Sequence, residues 1–136
     1  RFRVKFEEKE VDLELLCPRG ISLFADPERL SQIVLNLLAN ALKATPGGGR
    51  VSVRAEPAGG GLRIVVADTG KGIEAQDLPF IFERFYRGPG GGMGIGLTIV
   101  KELVEAHGAG IAVDSAPGKG TSFTIDFPAE AVHNSS

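Results

Sequence analysis

Three groups of residues in this 136-residue sequence have types and spacings suited to chemistry. In the first, Gln32, Asn36, Asn40 and Lys43 recur at steps of four, four and three, which places them on one stripe of a helix. A helix that only packs carries Glu, Lys and Arg on its outer face; this one carries neutral amides and then a lysine. Amide oxygens can ligate a hard cation such as Mg²⁺, and an ammonium one turn further can meet the phosphates that the cation neutralises. The second group is Asp68-Thr69-Gly70-Lys71-Gly72-Ile73. A carboxylate closing a buried strand is costly without a partner. An adenine supplies one, because its exocyclic amino group donates to the acid, whereas guanine presents a carbonyl oxygen there. Gly70 and Gly72 would let the backbone come close to the base. The third group, Gly92-Met93-Gly94-Ile95-Gly96-Leu97, opens into a helix. Backbone N–H groups at a helix start, uncovered by glycine, form an anion site. Each group has a plainer reading on its own: a half-buried helix with Asn at its edge, a turn with a capping Asp, a flexible linker.

The elements that must position these groups can be read from the hydrophobic pattern. Leu30, Ile33, Val34, Leu37, Leu38, Ala41 and Leu42 form an apolar stripe on a helix over 26–45, with Asp26 as N-cap, Pro27 at the first turn and Pro46 at the stop. A second long helix covers 95–107, with Leu97, Val100, Leu103 and Val104 inward and Gly108 at its end. Strands are predicted at 11–16, 21–24, 51–55, 62–67, 111–114 and 122–127. Gly59 to Gly61 link one hairpin, and the PGKG turn at 117–120 links another. Residues 1–9 fit a strand by the alternation of Phe2, Val4 and Phe6, or a helix by FEEKE. Residues 78–86 hold a short aromatic helix in which Phe80, Phe82, Phe85 and Tyr86 favour the core. Arg84 and Arg87 flank the glycine-rich segment, where one could swing onto a terminal phosphate; Arg84 fits a solvated charge. The order predicts an α/β (α+β) two-layer sandwich, with a mixed, mostly antiparallel sheet and helices on one face.

Size and composition narrow the classes. The length suits one domain, placed at 1–128 with a frayed tail at 129–136. A net charge of −2 argues against nucleic-acid binding. No apolar run approaches membrane-spanning length, so no membrane contact is expected. The single Cys17 forms no internal disulfide, fits a reducing compartment, and reads as a small core residue. The chain starts without Met and reads as a piece of something longer.

Taken together, the motifs resemble the catalytic, ATP-binding domain of bacterial sensor histidine kinases, within the GHKL ATPase superfamily. NLLANALKATPGGG is similar to the N box, VADTGKGI to the G1 box, LPFIFERFYRG to the F box and GMGIGLTIVKELVEAHGAGI to the G2 box. GKGTSFTIDFP resembles the closing strand motif. All stand in the family's order. The resemblance implies a Bergerat fold holding ATP or ADP with Mg²⁺. Asn40 would ligate Mg²⁺ with support from Asn36, and Lys43 would contact phosphate. Asp68 would bind the adenine amino group with a water and Thr121. Gly70, Gly72 and Ile73 would shape the base pocket. Gly92, Gly94, Ile95, Gly96 and Leu97 would wrap the phosphates. Arg87 would reach the γ-phosphate, and Phe82 would gate the lid. The implied partner is a histidine-bearing dimerisation domain, with a response regulator downstream. The domain would be monomeric in isolation and cytoplasmic, whether or not its parent kinase is anchored in the inner membrane.

Three departures from the family pattern stand out. Ala44 follows the N-box lysine where an aromatic or His is common. The segment Gly88 to Gly91 is short for a lid. Neither His107, at a helix end, nor His133, in the tail, has the acidic successor of a phosphoacceptor. The competing functions are a gyrase- or chaperone-type ATPase, a serine kinase that inhibits a sigma factor, and a nucleotide-binding module without catalysis. The ATPases place a Glu base where this chain has Asn36, and an amide takes no proton at neutral pH.

Overall fold

The computed structural model describes residues 2–16, 27–83 and 95–128. Their order is α1 (Phe2–Lys9), β1 (Asp12–Leu16), α2 (Pro27–Ala44), β2 (Arg50–Ala58), β3 (Gly61–Asp68), a 3-10 turn (Leu78–Phe80), α3 (Ile95–Ala106), β4 (Gly110–Ser115) and β5 (Thr121–Phe127). The sheet runs β1-β2-β3-β5-β4. Its β1–β2 pair is parallel and the other pairings are antiparallel, as the mixed pattern predicted. A parallel pair needs a crossover, and α2 supplies it.

One sheet face makes the core. Leu62, Ile64 and Val66 of β3 alternate inward with Phe123, Ile125 and Phe127 of β5, and all six are buried. Ile33, Leu37, Leu38 and Ala41 of α2, with Leu97, Val100 and Val104 of α3, complete it. Burying a Leu, Ile, Val or Phe side chain contributes about 1.5–3 kcal/mol, so this shared cluster is what fixes both helices to the sheet.

The ends of the elements follow from local chemistry. Gly59 (φ +58°) and Gly60 (φ +83°) make the two-residue turn of the β2–β3 hairpin, which requires positive φ at both positions. Helix α3 closes with a Schellman pair, from Ala109 N–H to the Val104 carbonyl (3.0 Å) and from Gly108 N–H to the Glu105 carbonyl (3.0 Å). Helix α1 closes in the same way at Glu10, which takes φ +62° without being glycine. There the Val11 N–H reaches the Phe6 carbonyl at 2.9 Å, and both side chains are buried. That hydrophobic closure decides the ambiguity at residues 1–9 in favour of a helix.

Two expectations change. The aromatic helix over 78–86 is, among the described residues, a single 3-10 turn at Leu78–Phe80. With three residues per turn, Leu78 and Ile81 share the inner side, so Phe80 is 47% exposed while Ile81 is fully buried. The alternation of β1 also lapses, because Leu15 and Leu16 are both exposed. The expected strand at 21–24, the Asp26 cap, Cys17 and the tail at 129–136 lie outside the described residues.

Candidate nucleotide site

Asp68 is the last residue of β3 and lies on the core face, 8% exposed. The strand register sets Val51, Asp68, Thr121 and Ser115 side by side across β2, β3, β5 and β4. Directly opposed residues of an antiparallel pair share a face, so Asp68, Thr121 and Ser115 form a polar row at the end of an otherwise apolar face. The Asp68 Oδ1 accepts the Gly70 N–H at 2.8 Å, the side-chain turn that Asp favours. Burial pushes the Asp68 pKa above the ordinary aspartate value, and the N–H groups of Gly70 and Thr121 pull it partly back. Among the described residues it has no ion-pair partner. It is a carboxylate whose charge is held in the fold at a cost.

The turn after Asp68 is wedged between two other elements. The Lys71 N–H meets the Ala44 carbonyl at the end of α2 (3.2 Å), and the Gly118 N–H meets the Lys71 carbonyl (2.8 Å). A Cβ at Gly70 would strike the Ala44 carbonyl, and one at Gly72 (φ +78°) would strike the Ala116 carbonyl. Both glycines are thus required by protein packing. Approach of a base, the reason inferred from sequence, is not needed to explain them. Ile73 is buried, and its N–H donates to the Ser115 Oγ at 2.8 Å.

Helix α2 meets this turn at Ala44 and carries its amides in the preceding turns. Asn36 and Asn40 are half-buried and Lys43 is exposed, one stripe at steps of four and three. The helix end is held from below. The Lys9 Nζ donates to the Leu42 carbonyl (2.6 Å) and the Lys43 carbonyl (3.3 Å), and the buried Thr45 hydroxyl donates to the Ala41 carbonyl (2.7 Å). Among the described residues no three of His, Cys, Asp and Glu cluster as metal ligands. The available donors are amide oxygens. That set fits Mg²⁺, which keeps several waters and takes phosphate oxygens to complete its shell.

Helix α3 packs on α2 and fixes the F-box segment. The Thr98 hydroxyl donates to the Phe82 carbonyl at 3.0 Å, and the Lys101 ammonium lies 5.6 Å from the Phe82 ring centre. The Phe82 ring also meets Phe123 edge-on, with 6.2 Å between centroids. Ile95 and Gly96 open α3, and Leu97 is buried in the core rather than displayed. Arg84, Arg87, Gly92 and Gly94 lie outside the described residues. The His107 Nδ1 sits 2.8 Å from the Leu103 carbonyl, and its ring packs edge-on against Phe127 at the far end of β5. That is a structural role, in keeping with its lack of a phosphoacceptor's acidic successor.

Sequence reasoning missed Ser115. The available signal was a hydroxyl at an inward position, following Ile111 and Val113, where alternation calls for another apolar residue.

The sequence and the fold as a whole are similar to those of known proteins. The model of the histidine kinase-, DNA gyrase B- and HSP90-like ATPases matches residues 25–131. The chain belongs to that family. Its relatives include the sensor protein DivL of Caulobacter vibrioides, 43% identical over 119 residues that make up 87% of this chain and 16% of DivL. The sensor histidine kinase ZraS of Escherichia coli K12 is 45% identical over 104 residues, 76% of this chain and 22% of ZraS. The chain therefore spans less than a quarter of either relative. Among solved structures, the mycobacterial sensor histidine kinase MprB superposes with a TM-score of 0.81 at 36% identity, covering 93% of this chain and 88% of that one. Full-length ShkA in complex with AMPPNP gives 0.83 at 34% identity, covering 92% and 27%. The mixed sheet with helices is the fold of histidine-kinase catalytic domains.

Proposed function

We propose that this chain is the ATP-binding catalytic domain of a two-component sensor histidine kinase. It would pass the γ-phosphoryl group of ATP to a histidine on a separate dimerisation domain, on the cytoplasmic side of the cell. The observation that carries this reading is the buried acid Asp68, held at the end of β3 and joined through Lys71 and Ala44 to the helix bearing Asn36, Asn40 and Lys43.

In this reading Asp68 accepts the adenine amino group, Thr121 holds a water beside it, and Ile73 lines the pocket with the turn shaped by Gly70 and Gly72. Asn40, backed by Asn36, would hold Mg²⁺, which supplies charge neutralisation on the phosphates. Lys43 and the backbone of Gly92, Gly94, Ile95 and Gly96 meet phosphate oxygens, with Leu97 anchoring that turn in the core. Arg87 stabilises the γ-phosphoryl group as it moves, and Phe82, held to α3 by Thr98, gates the lid. The acceptor imidazole nitrogen attacks the γ-phosphorus, the bond to the bridging oxygen breaks, and ADP leaves. The domain's work is positioning and neutralisation. Asn36 disfavours the ATPase reading, since the amide cannot deprotonate water.

The test mixes this domain with ATP radiolabelled at the γ-phosphate and a separately made dimerisation domain. The expected product is acid-labile label on the acceptor histidine, lost in Asn40→Ala. Release of inorganic phosphate without transfer, label on serine, or no reaction at all would each refute the proposal.

A further inference from the structure

We propose that Ser115 is a positioning residue that sets the polarity of the base site, an inference that rests on the nucleotide-binding reading above. Its Oγ has three neighbours: the Ile73 N–H at 2.8 Å, the Gly120 carbonyl at 2.9 Å and the Thr121 hydroxyl at 2.8 Å. A serine hydroxyl has one hydrogen and two lone pairs. The hydrogen goes to the Gly120 carbonyl, which can only accept. One lone pair takes the Ile73 N–H, which can only donate. The second lone pair is left for Thr121, so the Thr121 hydrogen points at Ser115.

Thr121 then faces Asp68 as an acceptor only. Ionised Asp68 is also an acceptor only, and the two stand directly opposite on neighbouring strands, 6% and 8% exposed. The row therefore presents two acceptors to whatever enters. It suits a ligand edge that supplies hydrogens, an amino group with or without a bridging water, and rejects one that presents a carbonyl. Ser115 reaches this effect from one strand away, through Thr121. The same hydroxyl ties the turn carrying Ile73 to the turn carrying Gly120, where a Cβ would strike the Asp68 carbonyl. The row is thus locked from both sides.

The test measures ATP and inosine triphosphate affinities by calorimetry in wild type, Ser115→Ala, Ser115→Thr and Thr121→Val. Inosine carries a carbonyl where adenine carries its amino group. In Ser115→Ala the Thr121 hydroxyl is free to turn and donate. The preference for ATP should then fall at least about fivefold, because a site built for one hydrogen-bond sense discriminates strongly and an adaptable one does not. Ser115→Thr restores the hydroxyl and should restore the preference. Thr121→Val, which removes the fixed acceptor, should lower the preference as well and decides the matter if Ser115→Ala does not fold. Equal losses for both nucleotides, or an unchanged ratio, would show Ser115 to be structural only and overturn the proposal. Wild type that binds ATP but leaves the ratio insensitive to these variants refutes Ser115 alone. Wild type that binds neither nucleotide refutes the nucleotide-site reading and this inference with it.

Discussion

Replacing Asp68 with Asn should move ligand affinity and free-protein stability in opposite directions. The amide oxygen keeps the bond from the Gly70 N–H, seen at 2.8 Å on Oδ1, which puts an NH₂ group where the second carboxylate oxygen stood. A ligand amino group then meets a donor instead of a charged acceptor. A hydrogen bond to a charged group contributes about 1.5–3 kcal/mol, so ATP affinity should fall about 10- to 150-fold. The unliganded protein feels the reverse. Burial holds the Asp68 pKa above the ordinary aspartate value, so the ionised acid is less comfortable in the fold than in water. A neutral side chain removes that penalty, and the melting temperature of the free domain should stay level or rise. The pH dependences also differ in sign. Because the folded pKa is raised, the stability that Asp68 contributes is present below its unfolded pKa and is lost as pH rises through the folded one; Asp68→Asn should abolish this slope. In the proposed reading ATP binding uses the carboxylate, so in wild type it should weaken as pH falls through the raised pKa, earlier than an ordinary aspartate would allow. Calorimetric titration and thermal melts across pH read both effects. An affinity change below about threefold, or a destabilised free domain, would refute the reasoning, since the acid would then be serving the fold.

Other expectations follow from the contacts around the site. Lys9→Met removes the cation from the α2 carbonyls of Leu42 and Lys43 and should cost about 1–2 kcal/mol in denaturant unfolding. Thr98→Val leaves the Phe82 carbonyl without its hydroxyl donor; it should cost about 1 kcal/mol and speed amide exchange across 78–83, with little change elsewhere. Glu10→Gly relieves a left-handed residue at the close of α1 and should raise stability by about 1 kcal/mol.

Much of the fold was legible because its signals are periodic. The apolar stripe of α2 recurs every three to four residues and is bounded by Pro27 and Pro46, and β3 and β5 alternate cleanly onto one buried face. The amide stripe at Asn36, Asn40 and Lys43 follows from the same period. What failed to show were features set by tertiary contact. Phe2, Val4 and Phe6 alternate like a strand, yet the pairing of Phe6 with Val11 at the Schellman close makes a helix. Phe80 looked like core, but the 3-10 turn gives the inner side to Leu78 and Ile81. The reasons for Gly70 and Gly72 lie in the carbonyls of Ala44 and Ala116, which no local pattern announces. Ser115 showed in the sequence only as a hydroxyl where alternation calls for an apolar residue; its place beside Thr121 came from the register.

The central claim is that the strand-end acid and the amide-bearing helix serve one ligand. An amide chemical-shift titration of the labelled domain with AMPPNP and Mg²⁺ tests it most directly. The account predicts that the signals of Gly70, Ile73 and Thr121 and those of Asn36 to Lys43 shift together, with a single dissociation constant, and that withdrawing Mg²⁺ weakens the response of the helix more than that of the strand end. Shifts confined to one group, or two groups titrating with separate constants, would contradict it.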